Sequence, residues 1–476
     1  MNYRLLANLI GKVLIALAVL MLVPILIAAI YGETLRDYLA FVIPVAAILP
    51  CGIAISFIKP KEKTNMRPRE GMVMVAMAWL LFTLLGALPY YISGALKNFF
   101  DCMFETASGF TTTGVSVILT PEDLSRSINF WRCFTHWIGG MGILVFIQAV
   151  LPKGNKMQSI HIFRAESPGP QVSKIVSKMG STAKILYLIY IFNTILQTIF
   201  LLCGKMPFYD SIVCSFSTVS TGGFSIWSDS IAHYNSLYIE MVVAVFMMLN
   251  GINYSLFFLL LTGKALAALK NTELWVYICA IVAGTVALTV SSLQLFDSVG
   301  RTIANSFFQV TSVISSTGFV TVDFNAWGAF ARLTLILLMF MGACAGSTGG
   351  GFKVSRMILL GKNVHRYMKK LGSPNSISTV KMDGKGVDDA LLHHVVSMFA
   401  IYIAIVAVGM VWLAIDGAGI EDALVDMISC MSNIGPGYYN DFHGVTKLFL
   451  SVVMIAGRLE IMPIIILALP RTWRKA

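Results

Sequence analysis

Charge is scarce in this sequence. Only 12% of its 476 residues are Asp, Glu, Lys or Arg, 57% are hydrophobic, and the mean hydropathy is +0.77. A chain long enough for about three soluble domains could not hide that much apolar surface from water, so the composition excludes a soluble multidomain protein and belongs in lipid. Paired cysteines are lacking as well. Cys51, Cys102, Cys133, Cys203, Cys214, Cys279, Cys344 and Cys430 are scattered, with no CxxC and no Cys/His group at metal-ligand spacing, and read as small packing residues. There is no HExxH, no GxSxG and no acid paired with histidine at one depth, which leaves an intramembrane enzyme without machinery. No loop can hold a soluble regulatory domain, since the largest inner segments are 152–180 and 361–389. Nor does a cleaved leader stand out: the run 13–31 exceeds a signal-peptide core, and a second run, 39–58, follows at once.

What the sequence has is apolar runs. A helix needs about 20 apolar residues to cross the hydrocarbon. Besides the first two, runs of that size begin near residues 71, 130, 181, 236, 273, 328, 390 and 443, predicting ten spans. Between members of successive pairs lie shorter mixed segments, each ending in a hydroxyl-rich turn with a glycine. Aligned on that glycine, the turns are Thr111-Thr112-Thr113-Gly114, Val219-Ser220-Thr221-Gly222, Ser315-Ser316-Thr317-Gly318 and Ser432-Asn433-Ile434-Gly435. Their spacing of about a hundred residues signals internal repetition of a helix, short helix, turn, helix unit.

The expected fold is therefore all-α and transmembrane. Two leading helices occupy 1–70, and four helix/re-entrant loop/helix repeats at 71–152, 181–264, 272–361 and 390–470 surround a pseudo-fourfold pore. The third repeat should have a broken second helix. Small residues that merely pack helices explain any one turn, but not four at repeat spacing.

Charge placement assigns the sides. With the glycine turns outside, 24 of the 35 basic residues fall on inner segments and eight on outer ones, so both termini are expected in the cytoplasm of a multi-pass protein. Of the 24 acids, 16 fall outside, among them Asp101, Glu105, Asp210, Asp229, Asp297, Asp323, Glu421, Asp422 and Asp426. A negative outer mouth concentrates cations, and the net charge of +11 reflects cytoplasmic loops beside an anionic bilayer, not a nucleic-acid partner.

Backbone that leaves helical geometry inside a bilayer is tolerated only where protein or a wet cavity satisfies it. If the short helices point their C-termini inward, their dipoles and the turn carbonyls can replace the hydration shell of a monovalent cation. The candidate filter is Thr112, Thr113, Gly114, Ser220, Thr221, Gly222, Ser316, Thr317, Gly318, Asn433, Ile434 and Gly435. The only metal expected is potassium at that filter, as the transported ion.

The motifs FTTTGVS (110–116), STGGFS (220–225), SSTGF (315–319) and NIGPGY (433–438) resemble those of the Trk/Ktr/HKT superfamily of potassium transporters over nearly the whole chain. The two leading helices make it similar to the bacterial TrkH-like branch more than to the shorter Ktr branch. That resemblance implies potassium uptake across the bacterial inner membrane through a gated, channel-like pore. Proton- or sodium-coupled symport on the same fold is the alternative. It also implies a homodimer over a cytosolic TrkA-like regulatory subunit that binds the nucleotide, NAD or ATP. In this family Gly114 is the potassium-type residue, serine there being associated with sodium transport in some plant members. Replacement of the hydroxyl pair by Asn433-Ile434 breaks strict fourfold symmetry.

Two features are candidates for a gate. The segment 342–353 carries Gly346, Gly349, Gly350 and Gly351 within a span, enough glycine to break a helix. It lacks the Gly-Lys-[Ser/Thr] of a phosphate loop, and close helix packing is its bland reading. Under the resemblance, it bulges beneath the filter as a movable obstruction. Arg458, in the last span, costs about 2.5–3.5 kcal/mol there unless compensated. Glu460, two positions on, points to another side of the helix. Arg458 therefore either faces the pore as an electrostatic barrier or pairs structurally, for instance with carbonyls of the broken third-repeat helix. His136, His393 and His394 read as satisfied or interfacial histidines, and Trp79, Trp131, Trp137, Trp227, Trp327 and Trp473 as an aromatic belt.

Overall fold

The computed structural model describes residues 1–58, 67–142, 179–295, 298–322, 326–375, 379–437 and 439–473. Most of the two basic loops expected on the inner side, together with Asp297, Asp323 and Tyr438, lies outside the described residues. Two leading helical spans, Tyr3–Tyr31 and Leu35–Ser56, come first. They pack backbone to backbone: a methyl group on Gly11 would lie 2.5 Å from the Ser56 nitrogen, a closeness only small residues permit.

Four units follow. Each has a long first helix, namely Pro68–Gly86, Met179–Cys203, Thr272–Ser292 and Asp389–Ile415. Each then has a short pore helix: Phe99–Thr111, Phe208–Val219, Val299–Ile314 and Ile420–Ser432. The first helices turn Leu188, Phe192, Ile195 and Ile199, or Val282, Val286 and Val290, outward at helical spacing, as lipid-facing surfaces do. The pore helices are instead lined with hydroxyls and buried. Thr106, Thr111, Ser215, Thr218 and Thr311 each donate to the carbonyl four residues back, which satisfies them away from water.

The second helices differ from expectation. Among the described residues, six helices are long and apolar enough to cross a bilayer, or seven if one bent pair counts as a single span. Among the described residues ten continuous spans are not present, because the second helices of repeats 2 and 4, as well as that of repeat 3, are broken. Repeat 1 has Arg126–Gly140 before the described chain stops. In repeat 2, Leu237–Asn250 and Tyr254–Leu261 meet at 91°, with Asn253 capping the new helix by accepting from the Ser255 amide. In repeat 3, Ala329–Met341 and Val354–Gly372 flank the glycine-rich segment. In repeat 4, Gly444–Arg458 ends where Glu460 and Ile461 take positive φ, and Met462–Ala468 restarts with Pro463 in its first turn.

A two-residue antiparallel pair, Lys381–Met382 with Lys385–Gly386, is a small departure from an all-helical chain. Its turn residue Asp383 accepts from the Thr272 amide at 2.9 Å and so caps the first helix of repeat 3. Trp79, Trp131 and Trp327 are buried and not belt residues; Trp131, for example, donates to the Gly86 carbonyl. Trp473 is the exposed one at a chain end.

Candidate functional site

The four pore helices end alike. The amides of Thr113, Gly222, Thr317 and Ile434 each bond the carbonyl five residues back, on Ser108, Ser217, Ser312 and Ser429, at 2.7–3.1 Å. This closure puts one residue per turn in the left-handed region: Thr112 (φ 56°), Thr221 (55°), Ser316 (58°) and Asn433 (55°). For a non-glycine residue that conformation costs about 1–2 kcal/mol, least for asparagine. Its occurrence in all four copies means the surrounding packing imposes it.

Two positions after each of these residues stands a glycine with positive φ: Gly114 (83°), Gly223 (83°), Gly318 (88°) and Gly435 (115°). These four close a ring. A methyl group on Gly114 would lie 2.1 Å from the Gly222 carbonyl oxygen, on Gly223 2.0 Å from that of Thr317, on Gly318 1.9 Å from that of Ile434, and on Gly435 3.0 Å from that of Thr113. Each turn therefore rests its glycine on the next turn's carbonyl, in cyclic order, and only glycine allows the approach.

The ring corrects the alignment of the second turn. The equivalent glycine is Gly223, so the matching residues are Thr221, Gly222 and Gly223. Ser220 belongs one step earlier, with Thr111, Ser315 and Ser432. The signal was present in the sequence as Ser-x-x-[Ser/Thr]-x-x-Gly, beginning at Ser108, Ser217, Ser312 and Ser429; the adjacent Gly222-Gly223 pair obscured it. Side chains obey a lower symmetry than backbone. Thr111 and Thr113 share a 2.7 Å hydroxyl bond, as do Ser315 and Thr317. Gly222 and Ile434 alternate with them, and Asn433 reaches across to the Thr113 hydroxyl at 2.8 Å.

Behind the ring sits His136, fully buried. Its Nε2 accepts from the Phe224 amide at 3.3 Å, which leaves Nδ1–H to donate to the Gly109 carbonyl at 2.7 Å. It ties the first pore helix to the second turn and is satisfied, as expected. His393 and His394 are exposed, and no group of three metal-ligating side chains occurs among the described residues.

Glu105, expected at the outer mouth, is buried with Arg132, and the two form an ion pair at 2.6 Å. Glu105 also accepts from Ser116 and the Val117 amide, while Arg132 reaches the Ser225 carbonyl and stacks 4.0 Å over Phe224. They brace the segments leaving turns 1 and 2, where their opposite charges offset each other. Asp101 pairs with Lys447 and Glu240 with Arg301, so the mouth's field comes from fewer acids than the sequence suggested.

The glycine-rich segment lies directly beneath turns 2, 3 and 4. The Gly350 amide donates to Ser316 Oγ at 2.6 Å, and Thr348 Oγ1 lies 3.2 Å from the Val219 carbonyl and 3.3 Å from the Thr221 hydroxyl. A methyl group on Gly349 would meet the Ser315 carbonyl at 2.6 Å, and one on Gly350 that of Ser432 at 2.0 Å. Gly346 and Gly351 supply the positive φ that folds the segment, and the Gly346 carbonyl accepts from the Tyr254 amide at 3.0 Å. Lys353 folds back onto the Gly349 carbonyl at 2.5 Å.

Arg458 has acceptors on two elements. It donates to the Thr348 carbonyl at 2.6 Å and to those of Gly139 and Gly140 at 2.7 and 2.6 Å. It bridges the glycine-rich segment to the end of the first repeat's second helix. Glu460 pairs with Arg356, on the helix after that segment. Sequence reasoning missed Gly223, the repeat 2 and 4 breaks, and Glu273, a buried carboxylate at a span end that intramembrane charge alone would have flagged.

A helical membrane protein whose four re-entrant turns close a backbone ring, with broken spans below it, has the architecture of an ion-conducting pore. The chain belongs to the TrkH family of cation transport proteins, whose sequence model matches residues 40–475. The Trk system potassium uptake proteins TrkH of Salmonella typhimurium and Escherichia coli K12 are each 33% identical to it over all of both chains. TrkG of Escherichia coli K12 is 30% identical over 95% of each chain. The crystal structure of the potassium transporter TrkH from Vibrio parahaemolyticus superposes with a TM-score of 0.90, at 29% identity and full coverage of both chains.

Proposed function

We propose that this chain takes up potassium through the ring of four turns, gated below by the glycine-rich segment. The observation that carries the reading is the cyclic seating of Gly114, Gly223, Gly318 and Gly435 on neighbouring carbonyls, which brings the carbonyl-bearing turns of all four repeats together in one closed ring. A family of cation transporters and relatives named for potassium uptake support the choice of ion. The turns carry no carboxylate, which favours passive, channel-like passage over proton coupling. Arg458 acts as a latch and a barrier together: it holds Thr348 in place and sets a positive charge under the ring. The membrane is the bacterial inner membrane with both termini inside, and a second copy and a cytosolic nucleotide-binding subunit, bearing NAD or ATP, complete the system.

Flux into liposomes, with potassium and sodium compared, tests this on the intact protein and on Gly114→Ser. The intact protein should prefer potassium. The serine side chain, placed against the Gly222 carbonyl, should abolish that preference in folded protein. Equal passage of both ions through the intact protein, unaltered by Gly114→Ser, would refute the filter. Shortening 346–351 should raise basal flux, and unchanged flux would refute the gate.

A further inference from the structure

The glycine-rich segment is held in two ways. Its tip is tied by bonds from Thr348 Oγ1, from the Gly350 amide to Ser316, and from Arg458 to the Thr348 carbonyl. Its shoulders are tied to one atom. Glu273 Oε1 accepts from the Ala345 amide at 2.7 Å and from the Ser355 amide at 3.0 Å, two donors ten residues apart on either side of the tip. Glu273 itself is only 4% exposed. It stands on the first turn of Thr272–Ser292, whose N-terminus is fixed by Asn271 and Asp383.

A carboxylate accepting two amides makes charge-assisted bonds, about twice as strong as bonds between neutral groups. The tip's bonds to the turns are neutral hydroxyl and amide contacts, and its charged donors, Arg458 on the Thr348 carbonyl and Lys353 on the Gly349 carbonyl, come from outside the turns. With the Val354 amide on the Ala343 carbonyl at 3.0 Å and the Phe352 amide on the Phe340 carbonyl at 3.1 Å, the shared carboxylate atom closes the base of the segment and gives the flap a fixed chord.

We infer that Glu273 is a positioning residue for the gate, pinning Ala345 and Ser355 so that only the tip 346–351 swings clear of the ring. This rests on the gate reading proposed above. The pin sets where the tip returns, and so governs how often the path is blocked. It does not touch the ring, where the ion is selected.

Potassium flux into liposomes, measured across a range of concentrations, separates those roles. Glu273→Ala should raise maximal basal flux by on the order of tenfold, the scale for losing a charge-assisted bond, while leaving the half-saturating potassium concentration unchanged. Glu273→Gln, which keeps an acceptor oxygen, should restore most of the control. Unchanged maximal flux, a shift confined to half-saturation, or failure of Gln to rescue would each overturn the inference. If Glu273→Ala does not fold, Ser355→Pro removes one donor at a helix position where proline is tolerated and should raise flux likewise; no rise would overturn it. Hydrogen exchange on the intact protein gives a second measure: the Ala345 and Ser355 amides should exchange more slowly than those of Thr348 and Gly350, and equal rates would overturn it. Should shortening the tip raise flux while Glu273→Ala does not, the pin falls and the gate stands. If neither does, the gate falls first.

Discussion

Replacing Gly223 with alanine should damage the filter more than any other single methyl group added to the second turn. The new Cβ would start 2.0 Å from the Thr317 carbonyl oxygen, and that separation must grow to at least 3.0 Å before the contact is one proteins sustain. Gly223 also has φ 83°, so an L side chain adds about 1–2 kcal/mol of backbone strain. The neighbour that must yield is backbone in the ring itself, so the displaced group is one of the carbonyls proposed to ligate the ion. Losing one such charge–dipole contact, worth about 1.5–3 kcal/mol, predicts roughly a tenfold to hundredfold loss of potassium preference over sodium. Gly222→Ala makes a useful contrast, because its methyl would strike the His136 ring at 2.4 Å, a side chain and not a carbonyl. Removing the ring in Gly222→Ala/His136→Ala should therefore relieve part of the damage, whereas His136→Ala should give Gly223→Ala no relief. Paired potassium and sodium flux in liposomes, on protein shown to be folded by its melting curve, reads all four variants. Wild-type selectivity in Gly223→Ala, or equal rescue of both glycine variants, would refute the ring's register.

Arg458→Ala should raise basal potassium flux by on the order of tenfold, the scale of relieving about 1.4 kcal/mol of repulsion between like charges at an effective dielectric near 20; unchanged flux with a lowered melting temperature would make the arginine purely structural. Glu105→Ala strands the buried Arg132 and should cost about 3–5 kcal/mol of stability, read as a fall in melting temperature that Glu105→Gln only partly avoids. Asp383→Ala removes a cap from Thr272 and should cost about 1 kcal/mol, seen as faster hydrogen exchange confined to the first turn of that helix.

The sequence made the repeats legible because four hydroxyl-rich turns at similar spacing have no other economical explanation. It did not make the second turn's register legible, since Gly222 and Gly223 both satisfy a glycine pattern and only φ and the Thr317 contact separate them. Continuous second helices were expected in repeats 2 and 4 because apolar runs persist through both breaks. The local clues were weak: an Asn-x-Ser cap at Asn253, and Pro463 one turn beyond Arg458. Acids counted toward the outer field included Glu105 because a linear sequence does not show that Arg132, 27 residues on, folds back onto it. The role of Arg458 stayed open for the same reason, its acceptors lying about 110 and 319 positions away.

The breaks in the second helices satisfy one another, and this constrains how any path below the ring can open. The Gly251 carbonyl at the repeat 2 break accepts from the Cys344 amide, and the Gly346 carbonyl accepts from the Tyr254 amide just past it. Arg458 takes carbonyls from repeats 1 and 3, and Ser316 takes the Gly350 amide. Backbone groups left unpaired inside a bilayer cost several kcal/mol each. Moving the tip frees at least the Gly350 amide and the Thr348 carbonyl together, a penalty larger than any single tip bond unless something replaces both partners at once. In the proposed gate, water filling the space left by the tip would supply both partners. The proposed gate would then open and wet in one event: without water the tip would be held by the cost of its own orphaned groups, and with water those groups and an incoming cation would be solvated by the same molecules.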